Sequence, residues 1–276
     1  MSLEQTIADL VAASNNLTGT INTKMNEIDQ KVDEATASVP DTIKGMAEME
    51  FHVDAIDGDD ENGDGGPTNP YKTITHLNNK LVSGSFTVIK LRGGQEHFID
   101  GFGPNIPSGV ILFLSWGEGL GNAKMKWAPK YNSNTNQYHG RAVGLQSGTI
   151  IMRGVDVYTD MSSGDAGLLS NDASFFGYSN SDYSVVVYNA YISLKNAPLV
   201  TAHAGYSGRD ISIGRSSIEV VESLNNMAKL LWNRATTFHS FRLDAADITL
   251  INGLTWADLV DYHSDKRNLL TSLDLV

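Results

Sequence analysis

Val185-Val-Val187-Tyr-Asn-Ala-Tyr-Ile192-Ser-Leu194 holds two short alternating runs separated by four residues, and the same figure recurs three more times. Gly148-x-Ile150 is followed by Val155-x-Val157, Ile211-x-Ile213 by Ile218-x-Val220, and Phe241-x-Leu243 by Ile248-x-Leu250. The four units align without gaps, and their second runs begin 37, 26 and 30 residues apart. Alternation with a period of two marks strands with one buried face. Self-similarity at a spacing of tens of residues marks an array of stacked units. Small or polar corners (Asn189-Ala190, Arg215-Ser216, Ala245-Ala246) and one variable loop per unit predict a parallel β-helix. Each turn of such a solenoid buries its inward side chains on the next, with backbone bonds between turns at ~4.8 Å. The same spacing also accommodates four hairpins, so an antiparallel β-sandwich body is the alternative.

The alignment orders the outward residues too. Between the inward positions of the second run stand Asp156, Ser193, Glu219 and Thr249, and the preceding corner column is Gly154, Tyr191, Ser217 and Asp247. Glycoside hydrolysis needs two carboxyl groups ~5–5.5 Å apart for retention or ~6.5–9.5 Å for inversion. Asp156 and Glu219 fall two turns apart, roughly 10 Å at ~4.8 Å per turn. Glu219 and Asp247 are neighbours in the same scheme. These three acids are the catalytic candidates, and the competing reading is the solvated surface of an acidic solenoid.

Composition narrows the classes. The chain has 276 residues, enough for one large domain or two smaller ones, with 26 Gly and 7 Pro, which suits turn-rich β structure. A net charge of −12 disfavours nucleic acid as a partner. The absence of Cys excludes disulfides, a thiolate zinc site and a cysteine nucleophile. The seven histidines have no metal-ligand spacing. Neither a secretory signal nor an apolar run near the ~18 residues of a membrane helix is expected.

Residues 1–49 have a different character, with no aromatic residue and a single proline, Pro40. Leu3, Ile7, Leu10, Ser14, Leu17, Ile21, Met25, Ile28, Val32 and Ala35 follow one another at steps of 4, 3, 4, 3, 4, 4, 3, 4 and 3. That is a heptad seam with a stutter. So narrow a stripe has little to bury against on its own, so Leu3, Ile7, Leu10, Leu17, Ile21, Met25, Ile28 and Val32 are oligomerisation candidates. Asn15, Asn16 and Gly19 are a place for the helix to break, and residues 36–49 read as a joint. A β body follows over 50–253. The segment 254–276, with Leu254, Trp256, Leu259 and Val260 and then Leu269, Leu270, Leu273 and Leu275, reads as a cap or docking segment.

The body opens with Phe51-His-Val-Asp, then Gly58-Asp-Asp-Glu-Asn-Gly-Asp-Gly, then Pro70-Tyr-Lys-Thr-Ile, then Phe86-Thr-Val-Ile-Lys-Leu-Arg-Gly-Gly. A short helix is expected after Pro70, with Tyr71, Ile74, Leu77 and Leu81 on one stripe. Asp60, Asn62 and Asp64 match the start of an EF-hand loop, but Tyr71 stands where the closing Glu belongs. They remain candidates for a looser calcium site, and no other cofactor is expected. The order of these motifs resembles the opening coil of pectate-lyase-like right-handed β-helices, common in bacteriophage tail fibres and tailspikes. Leu17-Thr-Gly-Thr-Ile-Asn-Thr-Lys-Met-Asn-Glu-Ile-Asp-Gln-Lys-Val resembles the N-terminal helices of phage tail fibre proteins. The resemblance covers about the first hundred residues. It implies a homotrimeric virion protein of the tail, attached through its N-terminal stalk and bound to other tail proteins or to a host-surface glycan. The chain is shorter than family members that degrade polysaccharide.

Two polar stretches carry aromatics: Trp116, Trp127, Tyr131 and Tyr138 within 115–140, and Phe175, Phe176, Tyr178 and Tyr183 within 158–184. Aromatic faces beside polar groups stack on sugar rings, which makes these eight the ligand-binding candidates. The alternative is that they pack the loops onto the solenoid. The expected function is therefore structural and recognitive, with a polysaccharide depolymerase or an adaptor for another tail protein as the alternatives.

Overall fold

The computed structural model describes residues 2–275 except Pro107, Gln146, 163–167, 171–172, 178–182, 203–208, 234–239 and 263–268, with the side chains of 37–47, Ile106, Leu145, Ala202, Arg209, Asn225 and Asn233 also outside the description. The chain divides into two compact units, Met1–Met46 and Ala47–Val276. Among the described residues no helix is long and apolar enough to cross a membrane.

The first unit is one helix, α1 (Leu3–Ala47). It neither breaks at Gly19 nor ends before Pro40. Glycine costs only ~1 kcal/mol relative to alanine in a helix. The hydroxyls of Thr18, Thr20 and Thr23 donate back to the carbonyls of Ser14, Asn16 and Gly19 at 2.9, 2.9 and 3.0 Å, so their polar groups are satisfied within the helix. The whole seam is exposed, from 49% at Ile21 to 77% at Leu3.

The second unit is mainly β. It begins with β1 (Glu48–Val53), the acidic loop and a short 3-10 helix, Ile74–Asn79, capped by Thr73. Three strands then recur in order. β2 (Phe86–Arg92), β3 (Glu96–Asp100) and β4 (Asn105–Ile106) make one winding. The next is β5 (Gly109–Trp116) and β6 (Ala123–Ala128), a hairpin excursion of β7 (Lys130–Asn132) and β8 (Gln137–His139), then β9 (Arg141–Leu145). β10 (Gly148–Arg153), β11 (Val155–Thr159) and β12 (Ser174–Gly177) follow, then β13 (Tyr183–Tyr188), β14 (Tyr191–Lys195) and β15 (Val200–Ala202). The long β16 (Arg209–Glu222) spans the first two positions and β17 (Leu231–Asn233) the third. β18 (Phe241–Leu250) again spans two positions, and β19 (Leu269–Thr271) comes last.

Equivalent strands stack into a curled twelve-stranded sheet and a five-stranded sheet. Every ladder in both is parallel, and β7–β8 is the antiparallel one among the described strands. The architecture is β-helix-like, and the antiparallel sandwich is excluded, because neighbouring strands come from successive windings and run the same way.

The core is a set of inward columns. One runs Ile111, Ile150, Val185, Ile211, Leu243, another Met125, Val157, Ile192, Ile218, and a third Val143, Phe176, Val200, Leu231, Val260, all essentially buried. The register departs from the sequence alignment. Paired residues Gly148, Tyr183, Arg209 and Phe241 lie 35, 26 and 32 residues apart, so the first and last junctions move by two. A shift of two keeps every side chain on its own face, so the hydrophobic pattern is blind to it. The corner residues are not. Gly154, Asn189, Arg215 and Asp247 each take φ of 47–62° where the first strand of a winding turns into the second. The corner column is therefore Gly154, Asn189, Arg215, Asp247, with Tyr191 and Ser217 already inside strands.

The chain beyond residue 253 adds to the solenoid's end. Thr255 opens a single turn, α2 (Trp256–Leu259), through a capping box with Asp258, Val260 bridges to Leu231, and β19 pairs with β18.

One inward position holds a histidine. His97 stacks beneath Met125, is 2% exposed, donates from Nε2 to the Arg92 carbonyl at 3.1 Å, and has no partner at Nδ1. Burial pulls its pKa below the ordinary 6.5, against the Arg92 carbonyl and Asp54, and burial does the same for His52. The unfolded chain takes up these protons as pH falls through ~6.5 while the folded chain does not. Stability is thus full above ~6.5 and is lost as pH falls towards the folded values. The urea midpoint is expected to drop between pH 7.5 and 5, and His97→Met to flatten that slope. An unchanged slope in the variant would assign the loss to other groups.

Candidate functional site

Outward side chains of the second stack form three columns. Glu96, Lys124 and Asp156 make the first, Phe98, Lys126, Tyr158, Ser193 and Glu219 the second, and Asp160 and Lys195 belong to the third. The Asp156 carboxylate accepts from the Asn122 amide at 2.8 Å and the Tyr191 backbone N–H at 2.9 Å. Burial pushes its pKa up, against the Asn122 bond and the Lys124 charge. Glu219 accepts from the Tyr191 hydroxyl and from the Asn252 amide at 3.2 Å. The Tyr158 and Tyr191 rings lie 5.8 Å apart between the two acids. Burial raises the Tyr158 phenol, as do the charges of Asp156, Glu96 and Glu219. Asp160 takes Lys195 at 2.9 Å and Lys126 at 3.0 Å. Burial pushes its carboxyl up, but the two ammonium groups outweigh that and hold it below the usual carboxylate range.

The expected acid pairs dissolve in this register. Glu219 pairs with Ser193, which pairs with Tyr158, and Asp156 stands two residues before that level. Their Cα atoms are therefore roughly 12 Å apart at ~4.8 Å per rung and ~3.3 Å per residue. Asp247 sits at the corner against Arg215, at 3.9 Å, and four residues along the strand direction from the level of Glu219.

The eight aromatic candidates separate by burial. Trp127 is in the core, its indole N–H bonded to the Gly101 carbonyl at 2.8 Å. Phe175 and Phe176 pack edge to face in the core at 4.9 Å, and Tyr183 is buried with its hydroxyl on the Phe176 carbonyl. None of these four presents a face to a ligand. Trp116 is half-buried and covered: the Arg92 guanidinium lies 4.4 Å over its ring and His52 packs edge-on at 4.9 Å. Tyr178 lies outside the described residues. Tyr131 and Tyr138 remain, paired across the β7–β8 hairpin with rings 5.2 Å apart.

Residues of that hairpin line two clefts. One, of about 360 Å³, is lined by Phe102, Lys130, Tyr131, Asn132, Ser133 and His139. The other, of about 390 Å³, has Tyr138, Asp160, Met161 and Lys195 in its walls. Phe102 is 53% and Tyr131 45% exposed, and the Tyr131 hydroxyl donates to Asn136 Oδ1 at 2.5 Å, which fixes the ring at the cleft edge. Phe102 and His139 escaped the sequence reading. Flanking glycines, Gly101 and Gly103, are the signal that a ring at 102 has little around it to pack against.

The acidic loop uses its acids on its own backbone. Asp60 accepts from the N–H groups of Lys72 and Thr73 at 2.8 and 3.0 Å and from the Thr73 hydroxyl at 2.6 Å. Asp64 accepts from the Gly66 N–H at 2.7 Å, and the Asn62 amide donates to Asp59 at 2.9 Å. The loop thereby holds Tyr71 in bridge position beside Val53, closing the solenoid's first end. No group of three or more His, Cys, Asp or Glu side chains converges as a metal site among the described residues.

No protein-family model, curated protein or solved structure matches this chain.

Proposed function

We propose that this chain is a structural protein of a bacteriophage tail, a tail fibre or tailspike. Its body is a short right-handed parallel β-helix of the pectate-lyase-like kind, and α1 is a homotrimeric coiled-coil stalk for virion attachment. The two clefts lined by residues of the β7–β8 hairpin recognise a host-surface glycan. The observation that carries the recognition reading is the first cleft. The half-exposed rings of Phe102, with the Arg141 guanidinium 5.5 Å over one face, and Tyr131 stand beside the amide of Asn132, the imidazole of His139 and the ammonium of Lys130. Apolar ring faces with polar neighbours suit a sugar's C–H faces and hydroxyls. The depolymerase reading is the weaker one, since Asp156, Glu219 and Asp247 stand at different levels and columns.

The test is competition. Purified protein should bind host cells and block phage adsorption. Phe102→Ala combined with Tyr131→Ala should weaken binding by at least ~10-fold, about 1.4 kcal/mol, with the unfolding midpoint nearly unchanged because both rings are exposed. Failure of the unmodified protein to compete at saturating dose would favour an adaptor role. Undiminished binding by the double variant would remove the cleft from recognition.

A further inference from the structure

The cap over the solenoid's first end serves its three strand stacks unequally. At the edge of β1, the His52 N–H donates to the Gly65 carbonyl at 2.8 Å, the His52 carbonyl accepts from the Tyr71 N–H at 3.0 Å, and the Asp54 N–H donates to the Tyr71 carbonyl at 2.8 Å. At the edge of β4, the Asn105 N–H donates to Asn78 Oδ1 at 3.0 Å. β3, the first strand of the second stack, pairs with β6 on one side and ends the sheet on the other. Parity says which of its groups face the open side. The Gln95 carbonyl accepts from the Lys124 N–H at 2.9 Å and the Gly101 N–H donates to the Ala128 carbonyl at 2.8 Å, so the odd-numbered residues turn their backbone groups to β6. Glu96, Phe98 and Asp100 turn theirs to the free edge. Among the described residues, their three N–H groups and the carbonyls of Glu96 and Phe98 have no protein hydrogen-bond partner, while the Asp100 carbonyl accepts from the Phe102 N–H at 3.1 Å. Beside this edge lies a slot of about 190 Å³, with Glu96, His97 and Phe98 on the strand side and Ala55, Thr73 and Ile74 on the cap side.

We infer that the open edge of β3 takes up an extended segment of another protein as an added strand, and that this segment carries an apolar residue between two basic ones at alternate positions. A row of unpaired donors and acceptors is what a strand matches through its own backbone, and an open edge is the template for that pairing. The slot is smaller than the ~300 Å³ at which small-molecule sites begin, and it suits one apolar side chain of the added strand. The cap wall also contributes Lys72, so a basic side chain does not belong in the slot. The outward side chains of β3 set the rest of the pattern. Phe98 is 50% exposed between Glu96 and Asp100. Both acids are more than half exposed, with Lys126 3.8 Å from Glu96 and Lys130 3.6 Å from Asp100. Opposite charges across a strand pair are favourable and like charges unfavourable. A basic–apolar–basic strand therefore meets all three residues favourably. A second copy of β3 does not: centred on Phe98, it sets acid against acid in either direction. The two acids thus weigh against a copy as the occupant and select a basic partner.

The probe is the synthetic peptide acetyl-Thr-Lys-Val-Leu-Val-Lys-Thr-amide, whose pattern reads the same in both directions. It is expected to bind the full-length protein saturably below ~1 mM, and a version with glutamate for both lysines at least ~10-fold more weakly. Two versions N-methylated on alternate residues test the backbone: one phase should lose at least ~10-fold and the other should not. Phe98→Pro removes the central open N–H at an edge position that tolerates proline, and should cost at least ~10-fold. Phe98→Ala keeps that N–H and should cost less than ~5-fold, the worth of one cross-strand side-chain pair. Residue-resolved amide exchange gives a second readout. In the free protein the Phe98 N–H should exchange far faster than those of His97 and Ile99, and it should slow when the peptide binds. A Phe98 N–H already protected in the free protein would overturn the inference, because the edge is then covered. So would the absence of saturable binding, or equal binding of both N-methylated peptides, which is adsorption to an acidic protein and not strand addition. Equal binding of the lysine and glutamate peptides would overturn the basic partner. A dimer abolished by Phe98→Pro would make the occupant a second copy and overturn the inference too. Where Phe98→Pro does not fold, the N-methylated peptides decide, since they leave the protein unaltered.

Discussion

Gly148→Ala is expected to lower stability by more than ~4 kcal/mol, beyond the usual range of point substitutions, or to leave no folded protein. Gly148 starts β10 between Gly109 below and Tyr183 above. A Cβ there would stand 2.0 Å from the Gly109 carbonyl oxygen, and its φ is 119°. Backbone on both sides is held in ladders, so neither the carbonyl nor the residue can move away without breaking rungs. Gly109 repeats the situation one winding earlier, with its added Cβ 2.4 Å from the Ser85 carbonyl and φ of 127°. Gly119→Ala is the comparison: it also has positive φ, at 73°, but nothing lies within 4 Å of the added carbon. It should cost only the left-handed penalty of ~1–2 kcal/mol. Urea unfolding followed by the fluorescence of the four tryptophans separates the two. Equal losses would mean that the stacked glycines are not in contact.

Asp261→Ala is expected to cost ~3–5 kcal/mol, and Lys229→Met in the same chain to restore most of it. Lys229 is 4% exposed, and its ammonium lies 2.7 Å from Asp261 Oδ1. Its backbone carbonyl meanwhile accepts from the Leu199 N–H, tying one winding to the next. Removing the carboxylate leaves an ammonium in the solenoid's end without its close partner, and removing both leaves only space for an apolar side chain. Denaturation midpoints of the three proteins decide this. A double variant no more stable than Asp261→Ala would show that the loss comes from packing at residue 261 and not from an uncompensated charge.

The candidate site was only partly open to sequence reasoning. Trp127 and Tyr131 both lie in the Asn-rich stretch and look alike as aromatic residues among polar ones. Parity tells them apart. Trp127 is an inward position of β6, aligned with Ile99 and Thr159, whereas Tyr131 falls after Pro129, in a hairpin outside the stacks. The hairpin itself interrupts a winding and carries no repeat signature, so nothing periodic points to its clefts. Asp60 and Asp64 illustrate the reverse error. Alternating acids and glycines have the composition of a cation loop, but the N–H groups of Lys72, Thr73 and Gly66 are their partners, and only the folded loop brings Lys72 and Thr73 to Asp60.

By itself the sequence determined that strands alternate inward and outward, that they recur as stacked units, and that the first thirty-odd residues form a seam-bearing helix. These are local periodicities, and side-chain direction follows from them whatever the partner. The tertiary structure alone decided which rung meets which, and hence that Asp156, Glu219 and Asp247 are not one array. It also decided which rings are interior. The physical reason is that a period-two pattern is unchanged by sliding two residues. The left-handed corners at Gly154, Asn189, Arg215 and Asp247 and the glycine contact between residues 109 and 148 remove that freedom, and they are contacts between windings tens of residues apart.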